Sequence, residues 1–343
     1  MSSTKDTLFL RDIEQQNLAQ WLPLDRPCAN LLITFDECQQ AFNICATTDS
    51  DHAVPTSQLE LVVFNDLNSI TFASLLSKCQ IKHCQLHVIN HRNNATSYRF
   101  SVDVDNIKVA REQLVELTTL ENFEAALLYN APKLTTPGLL VMDMDSTTIK
   151  IECIDEIAAL AGVGEEVAAV TELAMQGELD FSQSLHQRVA KLSGASEDIL
   201  ANVAKNIPLM EGLETLIAEL KKHQWRVAIA SGGFTYFAEH LKELLLLDAA
   251  EANVLEIKDH TLTGKVLGDV VDAQAKADCL VRLQNEFNVA PTQTVAMGDG
   301  ANDLVMMAAA HLGVAFHAKP LVLAQADSAI TTQGLDCLIH WLA

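Results

Sequence analysis

The chain has 343 residues, more than one compact domain usually holds, so two units are the natural expectation. Hydrophobic residues make up 49% and charged residues 20%, which suits an ample core and excludes disorder on a large scale. The formal net charge is −22, from 45 acidic against 23 basic residues, which disfavours nucleic acid and anionic membrane surfaces as partners and obliges any anionic substrate to meet a local cation or bound metal.

The first residues, MSSTKDTLFLRDIEQQN, break their short apolar stretch with Arg11 and Asp12 and lack the apolar run of a signal peptide. No stretch of about 18 apolar residues follows, so a soluble, cytoplasmic protein is expected. The eight cysteines are scattered without a CxxC pair, which argues against a zinc ribbon or a thioredoxin-type motif and for reduced, buried thiols. Residues 1–50 should contribute strands at 30–35 and 41–46.

From 58 to 130 the pattern reads β-α-β-β-α-β: strands at 59–64, 85–89, 97–104 and 124–129, and helices at 67–78 and 106–119. That order is the ferredoxin-like sandwich, and it loosely resembles the ACT type of small-molecule regulatory domain. An accessory or oligomerisation role, with homodimers formed through this α+β domain (1–131), is the plainer expectation. A polar stretch with two prolines, 132–138, reads as a linker.

Beyond it, short apolar strands at 139–142, 225–230 and 294–297 alternate with helices, and each strand runs into acidic, serine or glycine residues. This is the texture of an α/β doubly wound, Rossmann-like parallel sheet, in which ligands bind at the carboxyl ends of strands. Residues 151–207 are helical and acid-rich and read as an inserted cap, which leaves 139–150 and 208–343 as the core.

Four constellations sit at those strand ends. Asp143-Met144-Asp145-Ser146-Thr147 supplies two carboxylates, one suited to attack phosphorus and one to protonate a leaving oxygen and later deprotonate water. Gly298-Asp299-Gly300-Ala301-Asn302-Asp303 makes sense beside another acidic strand end as a magnesium site, since magnesium takes oxygen ligands, one or two of them carboxylates. Asp299 would then join Asp143 as a ligand, with Asp303 behind. Ser231-Gly232-Gly233 offers a hydroxyl and amides to a phosphate. Lys276 lies in the helical stretch AQAKADCLVRL and, alone, would pass for a surface lysine.

Together, in this order, these motifs resemble those of the haloacid dehalogenase-like phosphatases, over roughly 137–343. The resemblance implies that Asp143 is the nucleophile and that Asp145 is the general acid/base, its main-chain carbonyl also on Mg²⁺. It implies that Lys276 steadies Asp143 and the phosphoryl charge, and that Ser231, Gly232 and Asn302 help to bind the substrate. In the cap, Glu152 matches an acid for an ammonium, Arg188 an arginine for a carboxylate, and Met175 and Phe181 an apolar lid. A substrate with phosphate, ammonium and carboxylate is then expected, O-phospho-L-serine. Another small phosphomonoester, hydrolysed or used as phosphoryl donor, is the alternative, and an amino-acid sensor on a retired phosphatase fold is a third reading that the intact acids oppose.

Overall fold

The computed structural model describes residues 5–22, 31–46, 58–176 and 178–343, so position 30 of the first expected strand lies outside the described residues. The chain forms two compact units, residues 1–133 with Leu323–Ala343, and Leu134–Val322.

The first unit is a sheet of β1 (Lys5–Phe9), β2 (Leu31–Asp36), β3 (Ala41–Ala46), β4 (Leu59–Phe64), β5 (Cys84–Arg92), β6 (Ala95–Val102) and β7 (Glu124–Tyr129). The strands lie in the order β1-β3-β2-β5-β6-β4-β7, with antiparallel neighbours. With helices Ser69–Lys78 and Ile107–Glu121, the β5-β6-β4-β7 part is the ferredoxin-like sandwich that the sequence predicts, extended by three strands. The β5–β6 hairpin closes through Asn93 and Asn94, both left-handed (φ 47° and 61°). Asparagine tolerates that conformation better than most residues, and two such residues in a row match the right-handed twist of the strands.

Alternation along the strands sends Leu61, Val63 and Phe100 into the core beneath the helices. It leaves Glu60, Ser97 and Arg99 on the reverse face, where the end of the chain lies. Arg99, 2% exposed, donates from Nη1 to the carbonyl oxygens of His340 (3.1 Å) and Leu342 (3.0 Å) and pairs through Nη2 with Glu60 (2.5 Å). The Phe64 ring meets His340 at 4.8 Å and Trp341 at 6.5 Å. Buried Glu124 accepts from the amides of Thr331 (2.7 Å) and Thr332 (2.5 Å). These buried charges, each paired with distant main chain, account for the compactness of Leu323–Ala343 with the first unit.

In the second unit the strands β8 (Leu139–Met142), β9 (Arg226–Phe234), β10 (Ala249–Lys258), β11 (Thr261–Leu267), β12 (Thr294–Gly298) and β13 (Leu312–Phe316) run in the order β11-β10-β9-β8-β12-β13. Neighbours are parallel except for the β10–β11 hairpin. Strand β8 is buried throughout, as a central parallel strand covered on both faces must be. The sequence reading finds β8, β9 and β12 and omits β10, β11 and β13. Strands β10 and β11 form an edge hairpin with exposed positions, so they lack the continuous apolar run that marks a buried parallel strand. Between β8 and β9 come helices Cys153–Ala161, Gly164–Met175, Phe181–Lys191 and Asp198–Ala204, which fill the predicted cap region, and then Leu213–Lys222. Among the described residues no helix is long and apolar enough to cross a membrane.

Candidate active site

Strand β8 lies between β9 and β12, so the chain leaving it emerges at the centre of the sheet's carboxyl edge. Asp143 is the first residue past β8. Its amide donates to the Met297 carbonyl (2.9 Å), and the Asp143 carbonyl accepts from Thr148 Oγ1 (2.5 Å), which fixes the Asp143 main chain on both sides. Its carboxylate is 6% exposed and faces Lys276, Nζ to Oδ1 2.9 Å.

Lys276 stands on helix Ala273–Glu286, whose start is capped by Asp272 accepting from the Ala275 amide (2.9 Å). Far from being a surface lysine, it is fully buried and bridges Asp143 and Asp303, the latter at 2.7 Å. Burial alone would drive off its proton, but the two carboxylates outweigh that and hold it charged. Asp303 Oδ2 in turn accepts from the Gly300 amide (3.0 Å). Gly298 has to be glycine, because a Cβ there would lie 2.3 Å from Asp303 Cγ.

Asp143, Asp299 and Asp303 each offer an oxygen, and these lie within 4.8 Å of one another. Burial first, and then the charge of Asp143, pushes Asp299 up to about 6 and raises Asp303 as well. Lys276 is the only ammonium against this group among the described residues, so negative charge remains in excess. A compact, partly dehydrated set of carboxylate oxygens fits a hard divalent cation.

Asp145 Oδ1 accepts from the amide of Cys153 (3.2 Å), at the start of helix Cys153–Ala161. Burial, then Glu152 and Asp143, pushes its carboxyl up to about 8. Ser146, left-handed at φ 56°, turns the chain and donates to Glu152 Oε1 (2.7 Å).

Ser231, Gly232 and Gly233 lie inside β9, which continues to Phe234, rather than after the strand as the sequence reading has them. Ser231 Oγ accepts from the Gly233 amide (2.9 Å). The Gly232 carbonyl accepts from buried Asn253 (2.8 Å), which also holds the Val271 amide (2.8 Å). Phe181, at the start of the capped helix Phe181–Lys191, lies against Gly232, where a Cβ would come within 2.5 Å of its Cζ.

A cavity of about 350 Å³ gathers Asp143, Asp145, Glu152, Phe181, Arg188, Ser231, Gly232, Asp299 and Asn302. Lys276 and Asp303 stand behind Asp143. The side chain of Met175 lies outside the described residues. Arg188 Nε is buried with no hydrogen-bond partner, so the guanidinium lacks a full set of acceptors. Sequence reasoning missed Asn253, Lys319 and Leu321. A Lys-Pro pair just past a strand end is a signal for Lys319, whereas nothing local distinguishes Asn253.

The haloacid dehalogenase-like hydrolase family matches residues 138–311. A phosphoserine phosphatase of Vibrio cholerae is 57% identical over 241 residues, 70% of this chain and 73% of its own. The crystal structure of a probable phosphoserine phosphatase from Vibrio cholerae, in unliganded form, superposes with a TM-score of 0.71 at 46% identity, over 84% of this chain and 88% of that one. A substrate-bound phosphoserine phosphatase complex superposes with a TM-score of 0.58 at 40% identity, over 61% of this chain and 99% of that one.

Proposed function

The chain belongs to the phosphoserine phosphatases of the haloacid dehalogenase-like hydrolase family, and from that membership we infer that it hydrolyses O-phospho-L-serine to L-serine and phosphate, the last step of L-serine synthesis. The observation that carries this reading is the single cavity in which two carboxylates at a strand end, an incompletely paired arginine and a second acid converge.

In this reading Asp143 attacks phosphorus. The bond from phosphorus to the serine oxygen breaks, Asp145 gives that oxygen its proton, and an aspartyl-phosphate remains. Asp145 then takes a proton from water as the water attacks phosphorus, freeing phosphate and the Asp143 carboxylate. A carboxyl pushed up to about 8 starts the cycle protonated at neutral pH, as the first step requires. Lys276, fixed 2.9 Å from Asp143, orients the nucleophile and counters charge on the phosphoryl oxygens. Ser231, the Gly232 amide and Asn302 supply donors to the phosphate.

Asp143, Asp299 and the Asp145 carbonyl would hold Mg²⁺, backed by Asp303. When bound, the ion supplies charge neutralisation at the phosphoryl group. Glu152 reads the substrate ammonium and Arg188 its carboxylate, which would satisfy the orphaned Nε. Phe181, in the lining of the cavity, would form part of an apolar lid.

The test is phosphate release from O-phospho-L-serine with Mg²⁺ and with a chelator. The wild type should turn over only with metal, and Asp143→Asn should be inactive with an unchanged circular dichroism spectrum. Release from other phosphomonoesters but not from O-phospho-L-serine would replace this reading with that of a related phosphatase.

A further inference from the structure

The cavity has a second cation in its lining besides Arg188, and no step above uses it. Lys319 follows β13, three residues beyond the end of the strand, on the same carboxyl edge of the sheet as Asp143 and Asp299. Its main chain is constrained on both sides. His317, two residues before, is left-handed (φ 45°), with its ring stacked 4.1 Å from that of Phe316. Pro320, just after, restricts Lys319 to extended backbone and opens helix Pro320–Leu323. A strained turn on one side and a proline on the other hold the lysine at the cavity wall.

The ammonium itself is unengaged. Lys319 is exposed, and among the described residues it makes no ion pair and no side-chain hydrogen bond, although the lining includes the acids Asp143, Asp145, Glu152 and Asp299. Two other exposed lysines of this unit, Lys150 and Lys222, are paired with Glu211 and Glu219. The chain as a whole carries −22, so a phosphate-bearing anion approaches against a repulsive field.

We propose that Lys319 is the capture residue for the anionic substrate: its ammonium draws the phosphomonoester into the cavity and takes no part in the chemical steps. The proposal rests on the reading that the substrate is a phosphomonoester. A solvated ammonium acts through the long-range field, so its effect falls on association and is screened by salt.

The experiment uses the full chain saturated with Mg²⁺, with the variants Lys319→Gln and Lys319→Arg, and with Lys205→Gln as a control that changes net charge equally at an exposed position outside the cavity lining. At low ionic strength Lys319→Gln should lower kcat/KM about 3- to 10-fold through KM, with kcat unchanged. It should also flatten the decline of kcat/KM with added salt. Lys319→Arg should restore both, and Lys205→Gln should change neither. Inorganic phosphate, titrated by calorimetry, should bind Lys319→Gln more weakly than the wild type and Lys205→Gln equally well.

Unchanged phosphate affinity, a loss in kcat rather than KM, or an equal effect of Lys205→Gln would overturn the proposal. Should the wild type prefer a phosphomonoester other than O-phospho-L-serine, the substrate reading fails. The phosphate titration still decides the role of Lys319.

Discussion

Two carboxylates separated by one residue meet different surroundings in this site. Asp143 is held by Lys276, whereas Asp145 is half-buried beside Glu152 and Asp143, and desolvation together with these charges pushes its carboxyl up to about 8. Asp145→Asn should lower kcat by roughly 10²–10⁴-fold, the usual contribution of a general acid/base. The loss should shrink with p-nitrophenyl phosphate, whose leaving group needs little protonation; equal losses on both substrates would restrict Asp145 to shaping the site. Arg188 makes the matching case for specificity. Hydrogen bonds to charged groups contribute about 1.5–3 kcal/mol, so Arg188→Ala should reduce kcat/KM for phosphoserine about 10- to 150-fold. Turnover of phosphoethanolamine, which has no carboxylate, should barely change. Lysine at 188 should recover part of the loss, since a point charge cannot reproduce the planar fork.

At the level of elements, the contact between β9 and helix Phe181–Lys191 joins the strand proposed to bind phosphate to the helices before it. It works because Gly232 has no side chain: a Cβ there would come 2.5 Å from Phe181 Cζ. Strand backbone and helix start cannot both keep their places once a methyl group is inserted. Gly232→Ala should therefore displace Phe181 and shift the Gly232 amide, lowering kcat/KM on the order of 10²-fold, as misplacements near 1 Å do. The double variant Gly232→Ala/Phe181→Ala should recover part of that loss, because the clash has gone. Strictly additive losses would show that the strand and the helix act independently. Asn253 supports the same strand from the other side, joining the Gly232 carbonyl to the Val271 amide.

Across the whole molecule the two units should respond to pH in opposite senses. In the second, burial raises Asp145, Asp299 and Asp303, so between about pH 4 and 8 the folded state binds more protons than the unfolded chain. Stability there falls as pH rises, and a divalent cation that neutralises the cluster opposes the fall. In the first unit, burial, with the charge of Arg92 and Arg99, lowers His340 to about 4. It folds neutral, so its stability contribution is present above pH 6.5 and is lost as pH falls towards 4, about 3 kcal/mol in all. Glu60 adds a loss only below its ordinary range. Burial would raise it, but His87 and Arg99 hold it at about 2. Calorimetric melting with chelator should show the second unit's transition dropping from pH 5 to 8, and Mg²⁺ should raise it more at pH 8 than at pH 5. A metal effect independent of pH would mean that the ion does not bind this cluster.

The candidate site residues at the strand ends were legible in the chain because the chemistry proposed for them demands residue types at one kind of place. Asp143 directly after LLVM, and Asp299 one glycine past TVAM, mark the carboxyl ends of buried strands, and apolar runs that stop at polar residues are a local pattern. The ferredoxin-like order was legible for the same reason, since periodicity is a property of neighbours in sequence. Tertiary structure alone decided the rest. Lys276 reads as a surface lysine until the fold brings Asp143 and Asp303 to it from two other strand ends. The bonds from Arg99 and Glu124 to the main chain of Leu323–Ala343, more than 200 residues later, are likewise absent from any local pattern. A buried charge persists only where the fold supplies its partner, and helical or strand periodicity holds no record of which distant segment that will be.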